Sequence, residues 1–85
     1  MQDIEKQVVA IISEHLGIKT EEVTPEKSVS DDLGADLIDL VEIIMTIEDR
    51  FGVAISEDEA EGLTTVSKMV EFIEKREEES RALED

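Results

Sequence analysis

Apolar residues recur along the N-terminal stretch at helical spacing. Ile4, Val8, Ile11, Ile12 and His15 follow one another at intervals of four, three, one and three, which predicts a helix over Asp3 to Leu16 with one inward stripe. Asp3 and Glu5 place negative charge where the helix dipole welcomes it, and Gly17 is a natural stop. The pattern then breaks from Gly17 to Asp36. Thr24-Pro25 forbids a long helix there, and the isolated apolar residues Val23, Val29 and Leu33 read as pegs that pin a long loop to a core. One short turn is predicted at Thr20 to Val23. Asp36 to Phe51 is the strongest helix, with Asp36 as N-cap and Gly52 as stop. Its apolar residues, Leu37, Ile38, Leu40, Val41, Ile43, Ile44, Met45, Ile47 and Phe51, cover more than half of the helical wheel, as expected of a central helix touched by several others. Ser56 and Glu59 form a capping box that opens a short helix ended by Gly62. Thr64-Thr65 offers a cap for a last helix, whose stripe is Val66, Met69, Val70 and Ile73. Residues 74–85 form a charged C-terminal extension, expected to fray in part. No strand-like alternation competes. The prediction is a single all-α domain over residues 1–85: three main helices, one short one and a long first loop.

Charge narrows what such a domain can do. The 85 residues include 24 acidic and 8 basic side chains, for a formal net charge of −16. A nucleic-acid partner or an anionic membrane surface would be repelled. The 40% apolar content argues against an acidic disordered chain, although self-repulsion should leave a marginal fold that salt and divalent cations strengthen. With no cysteine there is no disulfide, thiolate metal site or cysteine nucleophile. His15 is the single histidine, which excludes His-rich metal sites and most catalytic triads. It reads as a half-buried packing residue near the end of the first helix. No segment is long and apolar enough to span a membrane, and Met1-Gln2-Asp3-Ile4-Glu5 is unlike a signal peptide, so a soluble, cytoplasmic monomer is expected.

The remaining chemistry lies in carboxylates. Asp36, Asp39, Glu42 and Asp49 share the outer side of the central helix, with Glu48 at its edge, and Glu57, Asp58 and Glu61 continue the surface on the short helix. One reading is a solvated face that keeps the protein soluble. The other is a docking strip for basic patches on partner proteins, because complementary charge steers encounter and fixes orientation. Val41, Met45 and Ile55 could supply apolar contact spots, although core membership is the simpler reading of Val41. Exposed carboxylates in so small a chain provide no enclosed pocket for acid–base catalysis, so no catalytic residue is assigned. The run Asp31 to Glu42 begins and ends on an acid, but Asp36 stands where an EF-hand needs glycine, and Leu33 and Ala35 replace oxygen ligands. No metal site is assigned, and loose divalent-cation binding is the most the acidic cluster suggests.

Asp32-Leu33-Gly34-Ala35-Asp36, followed by Asp39-Leu40-Val41-Glu42-Ile43 and Phe51, resembles the acyl carrier proteins. Thr24-Pro25, Glu57 to Glu61 and Thr64-Thr65-Val66 extend the resemblance over roughly residues 3 to 75. It implies a right-handed four-helix carrier bundle of fatty acid or related acyl synthesis, docking to basic surfaces of acyl-synthesis enzymes through Asp36, Asp39, Val41, Glu42, Met45, Glu48, Asp49, Ile55, Glu57 and Glu61. It also implies 4′-phosphopantetheine on a serine that opens the second helix, in the pattern Asp-Ser-Leu. Here the chain reads Asp36-Leu37-Ile38. Leu37 holds the serine's place and has no oxygen to phosphorylate, so no cofactor is attachable there. Ser28 and Ser30 lack the flanking pattern. A carrier-type domain inert at that site is the preferred expectation. A structural or regulatory interaction subunit using the same acidic helix is the alternative.

Overall fold

The computed structural model describes the backbone of residues 3–84 and the side chains of residues 3–80. Met1, Gln2 and the side chains of Ala82 and Leu83 lie outside the described residues. The elements run α1 (Ile4–Leu16), a 3₁₀ turn (Thr20–Glu22), α2 (Leu37–Phe51), α3 (Glu57–Glu61) and α4 (Val66–Glu84). Their ends follow local chemistry. Asp3 caps α1 by accepting from the Lys6 N–H. Asp36 and Asp39 form a reciprocal capping box on α2, and Ser56 and Glu59 form one on α3. Thr65 Oγ1 accepts from the Lys68 N–H at the start of α4.

Val8, Ile11 and Ile12 of α1 pack with Ile43 and Ile47 of α2 and with Val66, Met69, Val70 and Ile73 of α4. α1 contacts both longer neighbours. The pegs behave as expected at Val23 and Val29, which are buried, while Leu33 is half-buried. Ala35 joins the core as well.

The long loop is held by backbone as well as by pegs. The Val29 N–H donates to Thr64 O (3.0 Å), Val66 to Lys27 O (3.1 Å) and Ser67 to Pro25 O (2.9 Å), around an isolated bridge between Ser28 and Thr65. These bonds tie the loop to the α3–α4 link. Ala35 N–H then bonds Val29 O (3.1 Å), and Gly34 turns the chain into α2 at φ +80°, a conformation that side chains resist. The start of α2 is thereby placed by a segment with no regular structure of its own.

One expectation needs correction. The apolar arc of α2 is not covered all round: Ile43 and Ile47 are buried and Leu40 and Phe51 pack partly against the core, while Leu37, Ile38, Val41 and Met45 are exposed. Val41 is therefore a surface residue and not a core one. The charged run past Ile73 continues α4 as far as Glu84. Its residues are good helix formers, and Arg76 fastens its middle by donating to Ala54 O (2.9 Å) and pairing with Glu59 (2.6 Å).

Candidate functional site

The candidate surface is the outward face of α2 together with α3. Along α2, Leu37, Ile38, Val41 and Met45 fall within one sector of the wheel, and Glu42 and Asp49 border that sector. Leu37 is the first residue of the helix, directly after its cap, and 76% exposed. It does not lean into the bundle. A groove of about 410 Å³ runs beside it, lined by Leu37, Leu40, Val41 and Ile44 of α2, by Glu57, Ala60 and Glu61 of α3, and by Ser30, Leu63 and Thr64. The groove is apolar along its α2 wall and acidic along its α3 edge. Ile55 is half-buried at the far end of the face.

The carboxylates predicted to act together have different occupations. Asp36, Glu42, Asp49, Glu57 and Glu61 are exposed. Asp36 Oδ1 accepts from the Asp39 N–H (2.8 Å), and Asp39 Oδ2 accepts from the Asp36 N–H (3.1 Å). Glu48 is half-buried and accepts from the Ile55 N–H (2.9 Å), so it also holds the α2–α3 connection in place. The Asp36 N–H, followed by the His15 ring, holds the Asp39 carboxyl below its ordinary range despite some loss of solvation. The Ser56 N–H, followed by Arg76, does the same for Glu59.

The sequence reading missed a contact at His15. Its Nε2 lies 3.3 Å from Asp39 Oδ1 and 3.1 Å from Glu42 Oε1, joining the end of α1 to the first turns of α2. Asp39 and Glu42, three apart on one helix, were visible as neighbours. Which α1 residue would face them depends on helix packing, which periodicity along one strand of chain does not encode.

The carboxylates of this face are open to water, and among the described residues no nucleophile is paired with a base along it. No described helix is long and apolar enough to cross a membrane. Residues 6–73 match the family model described as phosphopantetheine attachment site. The fold is similar to that of a solved acyl carrier protein from Enterococcus faecalis, reported for its high thermal stability. The two are 38% identical, with a TM-score of 0.72, over 82% of this chain and 89% of that one. The family match runs from within α1 through the long loop, α2 and α3 into the first turns of α4. Such domains bear groups for other proteins and are not themselves enzymes, and on these grounds the chain belongs to the acyl carrier protein family.

Proposed function

We propose that this protein is a docking domain of fatty acid or related acyl synthesis, acting as a cytoplasmic monomer on basic patches of partner enzymes and not loaded with a phosphopantetheine arm at position 37. The observation that carries the reading is the outward face of α2. There an apolar stripe, Leu37 (76% exposed), Ile38, Val41 and Met45, lies bordered by Glu42 and Asp49 and faces the acidic edge of α3. Acidic borders bring a basic partner in and orient it, and the stripe supplies the contact area. Asp36, Asp39, Glu48, Ile55, Glu57 and Glu61 complete the surface.

The residues present do not fit a covalently attached arm. Family members esterify a serine that opens the second helix, where free N–H groups and the dipole favour a phosphodiester. The residue in that place is Leu37, a side chain of carbon alone. Ser30 borders the same groove, but it stands on the upstream loop without the helix-opening context. Ser28 Oγ already accepts from the Asp31 N–H (3.1 Å).

The run of four large exposed apolar residues also favours a second reading, a subunit that stays bound to one partner, because long-lived interfaces need more apolar area than transient ones. Binding to a phosphopantetheinyl transferase or an acyl-synthesis enzyme tests both. Asp49→Lys and Glu61→Lys each change an exposed side chain. Each should weaken a transient complex several-fold at low salt, with the difference fading at high salt. Binding indifferent to salt and to both reversals would refute electrostatic docking, and a stoichiometric complex that survives high salt would select the second reading.

A further inference from the structure

We propose that His15, Asp39 and Glu42 form a binding site for a first-row transition-metal dication, zinc foremost, that staples α1 to α2. Asp39 and Glu42 also belong to the proposed docking surface, but the evidence for the site is the His15 geometry and does not rest on the docking reading. The site is not a patch of acids alone: one ligand is an imidazole from a different helix, and this is the single histidine of the chain. Nε2, Asp39 Oδ1 and Glu42 Oε1 all lie within 4.8 Å of one another.

The spacing suits a small tetrahedral ion. Zinc–nitrogen and zinc–oxygen bonds of about 2.0–2.2 Å set neighbouring ligands of a tetrahedron about 3.3 Å apart. The two edges that start from Nε2 measure 3.3 and 3.1 Å. Glu42, with its side chain 56% exposed, can swing to bring the third edge into range, and the open side leaves room for water as the fourth ligand. Asp39 is held for the task, because its other oxygen accepts from the Asp36 N–H at 3.1 Å. A ligating carboxylate oriented by a second hydrogen bond is what ordered metal sites require.

The donor set also selects the ion. Calcium and magnesium seek six or more oxygens or several retained waters, and they gain little from an imidazole. Nitrogen with two carboxylate oxygens suits zinc, cobalt and nickel. When neutral His15 and both ionised carboxylates bind a dication, a local charge of −2 becomes zero. That relieves repulsion in a chain carrying −16 overall.

The test is zinc titration of the untagged full chain by calorimetry, read in parallel by the proton resonances of the His15 ring, with calcium as the comparison ion. One equivalent of zinc should bind saturably, the ring resonances should move with the same midpoint, and cobalt should give visible absorption of four-coordinate intensity. His15→Gln and Glu42→Gln should each weaken zinc binding by about tenfold or more, and calcium binding should stay weak and unchanged by His15→Gln. If His15→Gln does not fold, Glu42→Gln and the ring resonances of the parent chain decide. Unmoved ring resonances, zinc affinity unaffected by the variants, or calcium bound as tightly as zinc would overturn the site and leave an ordinary imidazole–carboxylate ion pair.

Discussion

Replacing Leu37 with serine tests whether position 37 lacks only a nucleophile. The magnitude follows from its exposure. A leucine fully buried contributes about 1.5–3 kcal/mol. With 76% of Leu37 already in water, truncation gives up about half a kcal/mol. Serine is a slightly poorer helix former, by a few tenths of a kcal/mol. The total stays below about 1 kcal/mol, which for a domain of this size lowers Tm by no more than about 8 °C. Leu37→Ser should therefore fold, and far-ultraviolet circular dichroism will show it. Incubation with a phosphopantetheinyl transferase and its donor substrate, followed by intact-mass spectrometry, should then show one added phosphopantetheine group on the variant and none on the parent. The new hydroxyl would stand at the first position of α2, beside the groove and next to the exposed stripe. A folded variant that gains no mass would refute the claim that the surface around position 37 still admits the transferase. A parent chain that gains the mass would refute the claim that the arm is excluded.

Other predictions concern the bundle itself. Ile47→Ala removes a side chain only 1% exposed, between α1 and α2, and should cost about 2–5 kcal/mol, read as a lower urea midpoint with an unchanged slope. Loss of less than about 1 kcal/mol would mean that this contact is not central to the core. Glu59 contributes an acid-sensitive element. The Ser56 N–H and Arg76 lower its folded pKa from 4.5, so its stabilisation is complete above that unfolded value and is lost as pH falls through the lower folded one. Glu59→Gln should therefore destabilise the protein at about pH 7, and its difference from the parent should shrink as the pH falls through the lowered folded pKa. A gap that persists unchanged in acid would assign the effect to something other than this carboxylate's charge.

Much of the architecture was written locally. The stops after α1 and α2, the capping boxes and the inward stripes depend on residues within a turn or two of one another, and such interactions leave a period in the sequence. So does the acidic surplus, which needs no fold to be counted. The Asp36-Leu37-Ile38 run was equally legible, since the absence of an oxygen at a given position is a fact of composition.

Tertiary structure decided what each apolar or acidic residue faces. Periodicity marked nine apolar positions in α2 but could not say that only Ile43 and Ile47 are fully buried, with Leu37, Ile38, Val41 and Met45 left outside. Coverage depends on which neighbours arrive and at what angle, and it is settled by the whole bundle. The same holds for Glu48, drawn back to the Ile55 N–H, and for Arg76, whose reach to Ala54 and Glu59 keeps α4 helical beyond the core. His15 is the clearest case. Alone in the chain it is one polar residue at the end of a helix, and only the packing of α1 on α2 sets its ring against Asp39 and Glu42. Contacts between residues distant in sequence carry no period along the chain, so they become visible only when the helices are placed in space.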